Sequence, residues 1–268
     1  MNQNPIGIFD SGIGGLTVLR EITRLLPKEN TIYLGDTARV PYGNKSRETV
    51  ERYSIEIAHF LLRHGIKMLV AACNTASAYA LGRLKKELAI PVIGVIEPGA
   101  KAALRATRTR RIGVIGTEGT IRSNAYSSAI KALDPEVATF AVACPLFVPI
   151  VEEGWTDDDV TLSVAERYLG GLKAHGIDTL VLGCTHYPLL KGVLAKVMGA
   201  GVTLIDSAES TAEEVKRVLM ESSMRNNGAE ARAVHRFFVT DSPERFVTVG
   251  RRFFGERLEG AELARLAE

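Results

Sequence analysis

The sequence predicts an α/β protein of two pseudo-symmetric halves, each a mainly parallel sheet covered by helices in three layers. Three observations predict it. Val/Ile/Leu-rich runs alternate with helix-period stretches almost throughout, as parallel strands buried on both faces require. The chain also repeats itself. GIKMLVAACNTASA (65–78) aligns with GIDTLVLGCTHYPL (176–189) at an offset of 111, and IGIFDSG (6–12) with IGVIGTE (112–118) at 106. A weaker match sets DTARVPY (36–42) on CPLFVPI (144–150) at 108. Collinear matches at similar offsets mark a duplicated unit. Finally, 268 residues that are 46% hydrophobic fill one or two packed domains.

The elements follow in order. IGIFD (6–10) is a buried strand, followed by a glycine turn and a helix to about Leu26; TIYLGD (31–36) is the next strand. Residues 46–64 are helical, with Ser46 as N-cap and Val50, Tyr53, Ile57, Phe60 and Leu61 on one face. Strands are expected at 68–73, 91–96, 111–116, 137–142, 179–184, 202–206 and 234–240. Helices are expected at 75–88, near 120–132, 157–174, 188–198 and 209–222, and at 243–254. The tail GERLEGAELARLAE reads as a short solvent-facing helix, and 223–232 is a polar stretch. One domain is expected from 1–97, the second from 98–207. Residues 208–268 are too few for a third α/β domain and should return to the first, making a double crossing, a cleft and a hinge.

Lys+Arg total 33 against Asp+Glu 31, so charge gives no reason to expect nucleic acid. No apolar run reaches the roughly 20 residues of a membrane span, and no signal peptide is visible. Three cysteines, Cys73, Cys144 and Cys184, do not make a disulfide framework. The expectation is a soluble cytoplasmic protein with reduced thiols.

The repeat pairs Cys73 with Cys184, Asn74 with Thr185 and Thr75 with His186. Both cysteines stand at a strand's carboxyl end before a helix, where ligands bind in parallel α/β sheets. A helix N-terminus there would favour thiolate over thiol. A single such cysteine is as readily an inert core residue; two at equivalent positions facing one cleft point to function. Cys144 has no repeat partner and reads as structural. Two opposed thiols suit a disulfide switch, a metal site with His186 as third ligand, or proton transfer at both faces of one carbon. The last accounts best for the pseudo-symmetry, because a racemase serves mirror-image substrates. The absence of CxxC or HxxxH spacing weakens the metal reading.

Asp10 either relays a proton near Cys73 or caps the turn at 11–15. His186, two residues after Cys184, can assist the other thiol, with Glu152 orienting it. Asn74, Thr75 and Thr185 open helices, where an anionic carboxylate docks on backbone N–H groups or where the residues simply cap. Gly12-x-Gly14 is an incomplete dinucleotide turn, since Thr17 stands where the third glycine belongs.

FDSGIGGLTVL (9–19), GDTARVPYG (35–43), AACNTASA (71–78) and VLGCTHYPLL (181–190) together resemble the glutamate racemases of the aspartate/glutamate racemase family, along essentially the whole chain. The resemblance implies duplicated flavodoxin-like halves with the active site in the cleft between them. It implies cofactor-independent interconversion of L- and D-glutamate, the latter for peptidoglycan, by a homodimer that binds no metal, nucleic acid or membrane. Cys73 would deprotonate D-glutamate and Cys184 L-glutamate, assisted by Asp10 and His186, with Glu152 beside His186. Substrate contacts would come from Asp10, Ser11, Tyr42, Gly43, Asn74, Thr75, Thr117, Thr120, Thr185 and His186. The rivals are an aspartate racemase of the same superfamily, a two-lobed binding protein without catalysis, and a thiol–disulfide oxidoreductase.

Overall fold

A computed structural model describes residues 3–226 and 233–266. The first stretch runs β1 (Ile6–Asp10), α1 (Leu16–Leu25), β2 (Thr31–Gly35), α2 (Arg47–Arg63), β3 (Met68–Ala71), α3 (Asn74–Glu87), β4 (Val92–Gly94) and α4 (Ile96–Ala106). The second runs β5 (Arg111–Gly116), α5 (Glu118–Arg122), α6 (Ala125–Leu133), β6 (Ala138–Ala143), α7 (Phe147–Glu153), α8 (Asp159–Ala174), β7 (Thr179–Gly183), α9 (Lys191–Met198) and β8 (Thr203–Asp206). Then come α10 (Ser207–Glu221), β9 (His235–Val239), α11 (Pro243–Phe254) and β10 (Glu262–Leu263).

The strands form two parallel sheets, ordered β10-β9-β2-β1-β3-β4 and β6-β5-β7-β8. The second order repeats the last four strands of the first, β2-β1-β3-β4. The register repeats too: Phe9 pairs with Ala71 across β1 and β3, and Ile115 with Leu182 across β5 and β7. Central strands are buried along their length, as in β1 and β7, which is why they read as continuous apolar runs. Between the sheets one apolar cluster joins Ile8 and Leu19 through Val215 and Leu219 of α10 to Leu180 and Leu182. The chain passes from the first sheet to the second through α4 and returns through α10.

Local chemistry explains most boundaries. The Ser46 hydroxyl accepts from Thr49 N at 3.3 Å and starts α2. The helix expected near 120–132 is two helices, because Asn124 adopts φ 57° between α5 and α6, a conformation asparagine tolerates. Helices α4 and α7 were not expected. Pro98 and Pro149 lie in their first turns, where a missing N–H costs nothing. The expected C-terminal helix is not formed. Gly255, at φ 92°, ends α11, and Glu262–Leu263 add a strand beside Phe238–Val239. Ala264 N donates to Val239 O at 2.7 Å and is buried, so burial and ladder hydrogen bonds outweigh helix propensity. Within the polar stretch 223–232, residues 227–232 lie outside the described residues.

Candidate active site

Cys73 follows β3 and Cys184 follows β7, the equivalent strands of the two sheets. Both sulfurs line one small cavity of about 40 Å³, with Ser11, Tyr42, Gly43, Asn74, Thr75, Thr117, Thr185 and His186. Pro41 and Val148 line it as well. Neither was expected, although the Val-Pro repeat, which aligns Val40 with Val148, carried a signal for the latter. Ligand pockets usually begin near about 300 Å³, so this cavity is closed down around its polar groups.

Cys73 is itself the N-cap of α3, its sulfur accepting from Ala76 N at 3.4 Å and lying 3.6 Å from Ser11 Oγ. The expected lowering of its pKa does not occur. Burial, followed by the neighbouring Asp10 carboxylate, pushes the thiol up to about 12, against the pull of the Ala76 and Ser11 hydrogen bonds. Cys184 does not cap an α-helix: a 3₁₀ turn at Tyr187–Leu190 intervenes, and α9 starts only at Lys191. Its sulfur instead faces His186 Nδ1 at 3.9 Å.

His186 Nε2 lies 3.1 Å from Glu152 Oε1. Burial disfavours the imidazolium, but hydrogen bonds to Cys184 and Glu152 outweigh it and push the ring up to about 10. The same contact holds Glu152 below the usual carboxylate range. Asp10 is fully buried, which raises its pKa, while the His186 charge pulls it back. Its Oδ2 accepts Gly12 N at 2.9 Å and its Oδ1 takes the Thr185 hydroxyl at 3.5 Å. Asp10 thus fixes the turn, as one of the two readings has it, and its charge also reaches Cys73. Asp10, Glu152 and Thr120 do not themselves line the cavity; each touches a residue that does.

Hydrogen bonds between the halves flank the cavity. Thr75 Oγ1 lies 2.9 Å from Thr117 Oγ1 and 3.1 Å from Thr120 Oγ1. Thr17, the residue that breaks the dinucleotide pattern, donates to Thr185 O at 3.0 Å. Gly14 lets the turn approach this point: a Cβ there would stand 2.2 Å from Thr185 Oγ1 and 2.4 Å from His186 Nδ1. The Tyr42 hydroxyl points away, donating to the buried Asp36. Asn74 Nδ2 is buried without a hydrogen-bond partner.

The third cysteine, Cys144, is buried with its sulfur 3.7 Å from Val142 O, and its carbonyl accepts the Tyr187 hydroxyl at 2.8 Å. All three thiols are free. Among the described residues no three His, Cys, Asp or Glu side chains converge on a metal position. No helix there is long and apolar enough to cross a membrane.

The family profile described as Asp/Glu/Hydantoin racemase matches residues 6–215. A glutamate racemase of Geobacter metallireducens is 59% identical over 258 residues, 96% of this chain and 95% of that protein. The crystal structure of a glutamate racemase isoform from Bacillus anthracis superposes with TM-score 0.93 at 42% identity, covering 98% of this chain and 97% of the other. That of the Francisella tularensis glutamate racemase in complex with D-glutamate gives 0.92 at 38%, covering 99% of each chain.

Proposed function

The chain belongs to the Asp/Glu/hydantoin racemase family, and on that premise we propose that it racemises glutamate by passing the α-proton between Cys73 and Cys184. The observation that carries this reading is the pair of thiols lining one cavity from equivalent strand ends of two equally ordered sheets. In the L-to-D direction the Cys184 thiolate takes the α-proton. The Cα–H bond breaks as S–H forms, and the carbanion spreads into the α-carboxylate. The Cys73 thiol then gives its proton to the opposite face and becomes the thiolate. The reverse direction exchanges the roles.

The two sides differ electrically. His186 as imidazolium is the counter-charge for an anionic Cys184 sulfur, with Glu152 anchoring it. Cys73, held as a thiol by burial and Asp10, suits the proton donor of the L-to-D reaction. Carbanion stabilisation falls to donors preorganised for the carboxylate: the unpartnered Asn74 NH₂, the N–H groups opening α3, and the Thr75–Thr117–Thr120 hydroxyls. Exclusion of water from so small a cavity strengthens each of them, and entry of substrate requires the halves to open.

The reading takes 1–97 with 208–268 as one domain and 98–207 as the other, a division that follows sheet membership. On the resemblance alone it extends to a cytoplasmic homodimer whose D-glutamate enters peptidoglycan; analytical ultracentrifugation tests the dimer. The direct test of function is circular dichroism of L-glutamate with the reduced protein and no added cofactor. The signal should decay to zero with wild type and persist with Cys73→Ala and with Cys184→Ala. A flat wild-type trace, or full racemisation by either variant, overturns the proposal; L-aspartate in the same assay measures substrate length.

A further inference from the structure

Asn74 Oδ1 accepts the Tyr126 hydroxyl at 2.7 Å. Asn74 is only 3% exposed and lines the cavity, yet its Nδ2 lacks a partner. Such a donor is costly to bury unless a ligand supplies the acceptor. Tyr126 reaches Asn74 from α6, on the other half of the molecule. An amide oxygen can only accept, so the phenol hydrogen is committed to Asn74. That bond fixes which way the amide is turned and leaves its NH₂ as the end without a partner.

The Tyr126 ring also packs closely against two glycines of the backbone. A Cβ on Gly99 of α4 would stand 3.2 Å from its Cε1 and its hydroxyl. A Cβ on Gly183, the residue before Cys184, would stand 3.0 Å from its Cε2. Gly99 lies near the start of α4, the segment by which the chain leaves the first sheet. Tyr126 therefore touches one crossing, the residue before Cys184 and the residue after Cys73.

We propose that Tyr126 is a positioning residue, aiming the Asn74 amide at a carboxylate of the substrate and tying that aim to the closed arrangement of the two halves. This rests on the reading of the cavity as the glutamate site. The test uses the full chain as Tyr126→Phe, Asn74→Ala and the double variant, with kcat and KM measured from both enantiomers. Tyr126→Phe keeps the ring packing, so it should raise KM about tenfold with a smaller change in kcat. The double variant should behave as Asn74→Ala alone, because the hydroxyl acts only through the amide. Unaltered kinetics in Tyr126→Phe, or effects that multiply in the double variant, overturn the inference. If Tyr126→Phe fails to fold, Tyr126→Met, which also lacks the hydroxyl and fills the space with an adaptable side chain, should raise KM in the same sense, and wild-type KM in that variant overturns it. Wild type that turns over neither enantiomer removes the glutamate reading itself, and this inference with it.

Discussion

His186 turns one ring nitrogen toward the Cys184 sulfur and the other to Glu152 Oε1, 3.1 Å away. Glu152 and the Cys184 contact thereby together raise the pKa of this ring against its burial. Its other oxygen has Arg245 Nη2 at 3.8 Å, and its backbone carbonyl accepts from Arg252 Nη1. Both arginines come from α11, so the half opposite Cys184 holds this carboxylate in place.

Glu152→Gln removes the charge and keeps the shape. One of the two partners that raise the His186 pKa against burial is then lost, and its pKa falls. Exchange of the α-proton of L-glutamate in D₂O should slow about 10²-fold, more than exchange from D-glutamate, and the limb of the pH profile due to His186 should move to lower pH. Enantiomers have equal free energy, so kcat/KM must fall equally in both directions. The asymmetry is read from exchange, by NMR. Stability carries the same signature. The folded pKa of His186, about 10, lies above its ordinary 6.5. Its stabilising contribution is therefore complete below about pH 6.5 and is lost as pH rises through about 10. Urea midpoints of wild type and Glu152→Gln should converge between those values; a constant gap would sink the assignment.

Cys73 should alkylate slowly near neutral pH and faster as pH climbs toward 12, where its thiol ionises. The measurement uses a chain with Cys144→Ser and Cys184→Ser, so that only Cys73 reacts. Asp10→Asn removes one of the two influences raising this pKa. It should speed alkylation at fixed pH and shift the rate curve downward, while slowing racemisation of the otherwise wild-type enzyme. Equal alkylation curves with and without the Asp10 carboxylate would show that the two groups do not sense one another.

Gly14→Ala places a methyl within 2.4 Å of His186 Nδ1 and nearer still to Thr185 Oγ1. Both side chains must move, and His186 cannot then face Cys184. Turnover should fall at least about 10²-fold, as expected for a displaced acid–base group, with the far-UV spectrum of wild type. Near-wild-type turnover would mean that His186 has no need of this position.

Sequence and structure agree where the physics is local or periodic. The buried central strands announce themselves as unbroken apolar runs, and the duplication singles out Cys73 and Cys184 because both halves end the same strand with the same residue. What spacing could not express is direction through space. Tyr126 meets a partner 52 residues away, and nothing around it in the sequence marks it. Cys184 appeared to open a helix because a 3₁₀ turn and α9 together share helical periodicity. The thiolate expectation at Cys73 considered the helix terminus and omitted burial and the Asp10 charge, both larger influences here. Helices α4 and α7 were hidden by prolines whose position in a first turn is harmless.

Tyr42 tests the difference between a residue at the site and a side chain in it. Its hydroxyl donates to Asp36, which is fully buried and also accepts Arg39 Nε at 2.7 Å and Thr240 Oγ1 at 2.9 Å. The phenol therefore belongs to a network behind the cavity, and what Tyr42–Gly43 can offer a substrate is main chain. Gly43 is held against Thr117, where a Cβ would stand 2.7 Å from the Thr117 Cβ. Tyr42→Phe should lower stability by about 1–2 kcal/mol, because it leaves a buried acceptor short of a donor, and should change KM less than about threefold. Gly43→Ala should do the opposite, keeping the Asp36 network and raising KM, since it displaces Thr117 and the hydroxyls joined to it. Urea melts and steady-state kinetics on the two variants separate the cases. A large rise in KM in Tyr42→Phe at unchanged stability would mean that the phenol turns to the substrate when the halves open.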